Sequence, residues 1–156
     1  RLKDTWIEEQ YEAQMRLSRI LMRLDDHETR FDEIKNEMDK AIAIFDDRAE
    51  AYYFFGEYCC QQGRYELSYE YLKKAEACSL EHAESNYSLF VNRTVYGIYV
   101  NNWLSVACFW TNRVEEGKAL IMEILNNHKE TFKDMVAHYE YNLDQFNVLE
   151  KKLSNA

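Results

Sequence analysis

The chain has 156 residues, of which 47% are hydrophobic and 30% are charged; it contains four glycines and no proline, and its net charge is −9. The shortage of glycine and proline argues against strand-rich folds, which use both residues in their turns. The negative charge argues against nucleic acid and anionic membrane as partners, and no apolar run approaches the roughly 18 residues of a membrane span.

The first half of the chain predicts four helices, because apolar residues recur there at steps of three, four and seven. Asp47 is a predicted N-cap for the third helix, and Gly63 is predicted to turn the chain in the left-handed conformation. The predicted helices cover residues 2–24, 31–45, 49–61 and 65–78. The apolar face of the first helix consists of Trp6, Ala13, Leu17, Ile20, Leu21 and Leu24.

The second half predicts four more helices. Ser79 is a predicted N-cap for the fifth helix, the sixth either begins at Tyr96 or is kinked at Gly97, and Asn112 is a predicted turn residue. These helices cover residues 79–90, 96–110, 114–125 and 132–153. The apolar face of the last one consists of Met135, Tyr139, Leu143, Phe146 and Leu149. No alternation of period two persists, so we expect an all-α fold without a sheet.

Two internal shifts align the helices in pairs. A shift of 34 residues places the second helix on the fourth, with Phe31 on Tyr65. A shift of 49 residues places "GRYE" at 63–66 on "NRVE" at 112–115. One helical domain over 1–156 is therefore predicted, with hairpins at about 2–45, 49–78 and 96–125, an extra helix at 79–91 and a closing helix at 131–153.

The central hairpin resembles a tetratricopeptide repeat. That family's pattern of large apolar, Leu-Gly, aromatic, Ala, aromatic and Ala positions is matched here by Tyr52, Phe55, Gly56, Cys59, Ser68, Leu72 and Ala75. The family's closing proline is replaced by Leu80. Small residues at such positions let two helices approach closely. The resemblance implies a right-handed superhelix of antiparallel hairpins with about seven or eight helices.

A longer stretch, from about Ala41 to Leu125, resembles the helical repeat segment of some glycosyltransferases, including those of giant viruses. The matching motifs are "RAE" at 48–50 and the block from Tyr96 to Gly117, which contains "LSVACFW". The resemblance implies an accessory domain of a longer polypeptide, which also agrees with a chain that begins in helical character. The sugar-transferring domain has no counterpart, because no Asp-x-Asp motif for a metal-bound sugar nucleotide occurs.

The sequence nominates no catalytic residue, metal ligand or cofactor. No two of the four histidines, at positions 27, 82, 128 and 138, share an i, i+4 face with a carboxylate in a metal-binding pattern, and the glycine-rich phosphate loop and G-x-S-x-G motif are missing. The four cysteines, at positions 59, 60, 78 and 108, form no C-x-x-C motif or zinc spacing. Adjacent Cys59 and Cys60 rarely pair with each other, so we expect reduced thiols and a cytoplasmic protein.

A ligand groove is expected where the first helix of each hairpin lines the concave face of the stack. Its predicted lining is Arg16, Arg19, Arg23, Glu50, Tyr53, Glu57, Gln61, Tyr99, Asn102, Val106 and Phe109. A basic row beside aromatic residues could bind an extended acidic peptide or a phosphorylated sugar. The alternative is that the arginines are solvated or pair with Glu12 and Asp26 along the same helix.

Three functions remain open from the sequence. The first is a non-catalytic domain that binds a protein segment, an acceptor or a neighbouring catalytic domain, as an accessory part of a glycosyltransferase. The second is a small enzyme or glycosyltransferase subunit whose site the sequence does not reveal. The third is an architectural spacer that self-associates as a homo-oligomer through its end helices.

Overall fold

The computed structural model describes residues 2–24 and 29–155, with side chains from residue 5 onward. These residues form eight α-helices and two short 3-10 turns. The α-helices are α1 (Leu2–Leu24), α2 (Phe31–Ile44), α3 (Ala49–Gln61), α4 (Tyr65–Ala77), α5 (Leu80–Asn86), α6 (Ile98–Trp110), α7 (Val114–Asn127) and α8 (Val136–Ser154). The described part of the chain has no strand, so the predicted all-α, helical-repeat fold is confirmed.

The helices pack mainly against their neighbours in the chain. The pairs α1–α2, α3–α4 and α6–α7 form hairpins, α4 packs against α6, and α8 packs against α7. Each connection within a hairpin is short, which makes the paired helices antiparallel neighbours. The short helix α5 and the segment 87–97 lie between the second and third hairpins.

The turns of the second and third hairpins have the same geometry. Gly63 has φ of +71° and Asn112 has φ of +59°. The backbone N–H of Arg64 donates to the carbonyl of Cys59 at 2.8 Å, and that of Arg113 donates to Cys108 at 2.9 Å. A left-handed residue followed by such a bond is the Schellman helix ending. The 49-residue shift found in the sequence therefore relates structurally equivalent turns.

Small residues bring the helices of each hairpin close together. In the second hairpin, Ser68 Oγ donates to the carbonyl of Gly56 at 2.7 Å, and Leu72 lies against that glycine. In the third hairpin, Gly117 lies against Cys108 of α6 and the ring of Phe146 of α8. The absence of a side chain at Gly117 therefore lets Phe146 of α8 pack directly on the backbone of α7.

Several predicted helix ends differ from the structure. Ser79 caps α5 as predicted, since its side chain accepts the N–H of His82, but α5 ends at Asn86 and not at Phe90. Helix α6 begins only after Gly97, whose φ is +61°. The last helix begins at Val136, after a 3-10 turn at Lys133–Met135.

The predicted N-cap of α3 is wrong. Arg48 occupies the N-cap position, and its side chain makes no cap hydrogen bond. Asp47 binds across to the segment after α4 instead: Tyr87 Oη donates to it at 2.5 Å, and His82 Nε2 lies 2.8 Å away. These contacts hold α5 and the chain after it against the start of α3.

The core face predicted for α1 is also largely wrong. Of its six residues only Leu21 is buried, whereas Trp6, Ala13, Leu17, Ile20 and Leu24 are exposed. The face that packs on the rest of the protein consists of Glu8, Tyr11, Met15, Ser18 and Leu21. Helix α1 therefore carries two apolar stripes on opposite sides, and the packed stripe is the one that includes polar residues.

Candidate binding cleft

Glu50 was predicted to line the groove but lies in the core. Its carboxylate and the Arg48 guanidinium are both fully buried and form an ion pair, with Arg48 Nη2 2.9 Å from Glu50 Oε1. The same carboxylate accepts the backbone N–H of Asn92 at 2.9 Å and the hydroxyl of Tyr96 at 3.0 Å. Because all of these partners are internal, Glu50 cannot reach a ligand, and the prediction for this residue is wrong.

Arg48 binds the segment 87–97 to the helical core through hydrogen bonds. Its guanidinium donates to the carbonyls of Leu89 at 3.3 Å and Phe90 at 2.9 Å, and it lies 4.6 Å from the ring centroid of Tyr11. Burial alone would lower the pKa of Arg48, but hydrogen bonds and the charge of Glu50 outweigh it, so the pKa is raised and the group stays charged.

Glu8 anchors the same segment from α1. Its carboxylate accepts the backbone N–H of Ser88 at 2.9 Å and that of Leu89 at 2.6 Å. Bonds from backbone N–H groups to an ionised carboxylate are among the stronger hydrogen bonds in proteins. The connection between the second and third hairpins is therefore tied to both α1 and α3, although it contains little helix.

Four of the predicted groove residues do line one cleft, which lies between α1 and α3. It has a volume of about 450 Å³. Its predicted members are Arg19, Arg23, Glu57 and Gln61, and they are joined by Met22, Phe54, Tyr58 and Gln62. Arginine and aromatic side chains thus share one cleft with two amides and one carboxylate.

The two arginines form one side of this cleft. They are one helical turn apart on α1. The Arg19 guanidinium lies over the Phe54 ring, 4.0 Å from its centroid, and Arg23 is exposed. Neither side chain makes a hydrogen bond or an ion pair to a carboxylate of the described residues. Both guanidinium groups are therefore available to an anionic ligand in the cleft.

Glu57 faces them from α3. Burial raises the pKa of Glu57, while a hydrogen bond from Trp103 and the charge of Arg19 act in the opposite direction. Tyr53, another predicted groove residue, is half-buried and also receives a hydrogen bond from Trp103; burial raises its pKa to about 12.

The third arginine of the predicted row, Arg16, belongs to a different environment. Its Nε lies 2.6 Å from Glu12 Oε1 in the same helix, which is the pairing that the sequence offered as an alternative. The other proposed partner, Asp26, lies outside the described residues. Arg16 is exposed and does not line the α1–α3 cleft.

The predicted residues of the third hairpin do not join this cleft, because the closing part of the chain packs on them. The Tyr99 ring lies 5.3 Å from that of Phe132, and Asn102 Oδ1 accepts the Tyr139 hydroxyl at 3.1 Å. Val106 and Phe109 line a second cavity of about 360 Å³ between α6 and α8. The single continuous groove predicted from the sequence is thus divided into two separate spaces.

The sequence interpretation missed the aromatic floor of the cleft. Phe54, Glu57, Tyr58 and Gln61 follow one another on α3 at steps of three, one and three, so they share one helical face. Two of these residues were predicted as groove-lining, and the same periodicity could have supplied Phe54. Met22 has the same relation to Arg19 and Arg23 on α1, at steps of three and one, whereas no comparable periodicity predicts Gln62.

The cysteines are packed groups and not nucleophiles. Burial raises the pKa of Cys59 and Cys108 to about 12, and that of Cys60 and Cys78 to about 11. The thiolate is the reactive form, so at pH 8 each thiol is reactive in only about one molecule in a thousand or fewer. Of the four, only Cys78 is not fully buried.

Ellman's reagent should therefore distinguish Cys78 from the other thiols. In native protein at pH 8 we expect slow reaction of about one thiol, and rapid reaction of all four after unfolding in urea. Cys78→Ser should abolish the native reaction, and Cys60→Ser should leave it unchanged. Rapid reaction of two or more thiols in the native state would show that the packing described for α3 and α6 is wrong.

Residues 2–24 and 29–155 contain neither a metal-binding cluster nor a membrane-spanning helix. No group of three or more His, Cys, Asp or Glu side chains is placed to hold a metal ion. No described helix combines the length and the apolar character needed to cross a membrane.

Comparison with protein families, curated proteins and solved structures found no match for this chain. The resemblance to tetratricopeptide repeats and to glycosyltransferase repeat segments therefore stays a prediction, and the α1–α3 cleft is interpreted from its own geometry.

Proposed function

We propose that this helical-repeat domain is a non-catalytic recognition module that binds an anionic segment of a partner in the α1–α3 cleft. The observation that carries the proposal is the pair of arginines, Arg19 and Arg23, on one side of a cleft of about 450 Å³. Neither makes an ion pair with a described residue, and Glu57 across the cleft interacts with Arg19 only through its charge. Guanidinium groups bind carboxylates and phosphates through paired, charge-assisted hydrogen bonds.

The other side of the cleft supports recognition of an extended chain. Gln61 and Gln62 offer amide donors and acceptors, and Phe54 and Tyr58 offer ring surface beside them. Glu57 lies on the α3 side of the cleft, and its carboxylate repels a second negative charge placed next to it. The cleft thus favours one acidic group near α1, followed by polar and apolar contacts along α3.

The net charge of −9 does not prevent this binding. At physiological salt the Debye length is about 8 Å, so distant carboxylates are screened while the two arginines act at contact distance. The proposed ligand belongs either to a separate partner protein or to a neighbouring domain of a longer polypeptide. The resemblance to glycosyltransferase repeat segments supports the second source.

The proposal is tested with a fluorescein-labelled hexaglutamate peptide, with fluorescence anisotropy as the readout. We expect saturable binding that weakens as salt rises. Arg19→Gln and Arg23→Gln should each weaken it about tenfold to a hundredfold, since a hydrogen bond to a charged group contributes about 1.5–3 kcal/mol.

Two controls make the result specific. Arg93→Gln removes an exposed arginine, paired at 2.5 Å with Glu84 and outside the cleft, and should leave binding unchanged. Competition by glucose 1-phosphate would identify a sugar phosphate as the preferred anion. Equal binding by wild type and by an Arg19→Gln/Arg23→Gln double variant would contradict the proposal.

A further inference from the structure

The solvent-facing stripe of α1 has the spacing of a coiled-coil seam. Successive members are separated by four, three, four, three and four residues, which is the a/d pattern of a heptad repeat. They are Trp6, Gln10, Ala13, Leu17, Ile20 and Leu24. The exposed fraction is 62% for Trp6, 53% for Ile20 and 62% for Leu24, so no described residue covers the stripe.

Isolated exposed apolar residues are ordinary on protein surfaces, but this set is contiguous and periodic. The stripe lies opposite the face of α1 that carries the buried residues Tyr11, Met15 and Ser18. A helix that is apolar on two opposite sides is suited to a second helical neighbour. At 1.5 Å per residue, Trp6 to Leu24 presents a seam about 27 Å long.

We infer that this seam binds the α1 helix of a second copy of the chain, in antiparallel orientation. In an antiparallel pair, an a residue of one helix meets a d residue of the other. Here Leu24 meets Trp6 of the second copy, and Leu17 meets Ala13. Leu24 thus faces a flat ring and Leu17 a small residue, while Ile20 packs on the stem of Gln10, and the two-fold axis repeats each contact.

Charge complementarity selects this partner and this orientation. The positions that flank the seam on one edge are Glu9, Arg16 and Arg23, and in the antiparallel register Glu9 of each copy faces Arg23 of the other. Two symmetry-related ion pairs result. Arg23 also lines the α1–α3 cleft, so in the dimer Glu9 of the second copy and an anionic ligand share this guanidinium. Near the two-fold axis, Arg16 of one copy faces Arg16 of the other. Glu12 of the same helix lies 2.6 Å from each Arg16 and offsets its charge.

The parallel orientation lacks these pairs. In a parallel pair, a residue on one edge of the seam meets the residue five positions further along, on the other edge of the second helix. Glu9 would therefore meet Gln14, and Arg16 would meet Leu21. Leu21 is buried within its own copy and is not free to take part. Gln10 also meets Gln10, which places two amides together in the seam. The antiparallel pair is therefore the one that the sequence of α1 favours.

Sedimentation velocity of the whole chain over a range of protein concentrations tests this inference. We expect a reversible monomer–dimer equilibrium, and Ile20→Glu should weaken association about tenfold or more because it places a carboxylate in the seam. Val148→Glu makes the same kind of change at an exposed residue of α8 and should leave association unchanged. Circular dichroism checks that each variant is folded.

Charge exchange tests the register. Glu9→Arg alone and Arg23→Glu alone each place like charges together twice and should weaken the dimer, whereas the Glu9→Arg/Arg23→Glu double variant should restore it. A wild-type chain that stays monomeric, an Ile20→Glu variant that dimerises normally, or a double variant without recovery would overturn the inference. The readout uses no ligand, so its failure is separate from any failure of the binding proposal.

Discussion

Replacing Glu50 with alanine should destabilise the protein by about 3–5 kcal/mol, because it leaves the buried Arg48 charge without its carboxylate. Four further hydrogen bonds are lost or weakened. Asn92 N–H and Tyr96 Oη lose a carboxylate oxygen, and the Arg48 bonds to the carbonyls of 89 and 90 lose their anchor. Urea unfolding followed by circular dichroism measures the change in the free energy of unfolding.

Glu66→Ala is the matched control for this prediction. Glu66 also pairs with an arginine, at 2.9 Å from Arg113 Nη2, but 68% of its side chain is exposed. Exposed pairs contribute only about 0–1 kcal/mol. A Glu50→Ala variant that loses no more stability than Glu66→Ala would show that the Arg48–Glu50 pair is not buried as described.

A second comparison separates the net contribution of the Arg48–Glu50 pair to the free energy of unfolding from the loss caused by removing only one partner. Replacing both partners, as Arg48→Met/Glu50→Leu, removes two charges that had to be desolvated and should cost less than Glu50→Ala alone. The double replacement also removes the bonds to the segment 87–97. We therefore expect that segment to become sensitive to limited proteolysis while the helices stay folded.

The second large effect is expected at Gly117. A Cβ at this position would overlap the Phe146 ring and lie 3.0 Å from Cys108 Cβ. The ring is fully buried, so α8 has to shift away from α6 and α7. We expect Gly117→Ala to destabilise the protein by about 1–3 kcal/mol, although alanine is better than glycine by about 1 kcal/mol within a helix.

A double-mutant cycle with Phe146→Ala tests the cause. Phe146→Ala alone should cost about 3–5 kcal/mol, because it leaves a cavity. In that background the extra methyl of Gly117→Ala enters the cavity, so the second change should be neutral or stabilising. Additive losses in the cycle would contradict the close approach of α8 to α7.

The sequence predicted most of the helices because their signals are local. Period, turn residues and capping residues act within a few positions, so Gly63, Asn112 and Ser79 were identified correctly. Residues 87–90 were wrongly predicted as the end of the fifth helix, because the order of the segment 87–97 comes from distant partners. Glu8, Arg48 and Glu50 hold its backbone, and no local pattern contains that information.

The predicted binding residues were also wrong where distant partners, and not local periodicity, decide the position of a side chain. Charged residues are rarely buried, so Glu50 was expected at the surface, and only its pairing with Arg48 explains its place in the core. On α1 the sequence offered two apolar stripes, and the more hydrophobic one was taken for the core. The packed stripe contains Glu8 and Ser18, whose hydrogen bonds could not be foreseen from periodicity.

Recognition of an anionic segment in the α1–α3 cleft is tested most directly by amide NMR of the ¹⁵N-labelled protein, titrated with the hexaglutamate peptide at fixed protein concentration. The account predicts saturable shifts centred on Arg19, Arg23, Glu57 and Gln61, and their loss in the Arg19→Gln/Arg23→Gln variant. It would be contradicted by a spectrum without saturable shifts, or by shifts confined to the cavity between α6 and α8 that Trp110 and Tyr141 line.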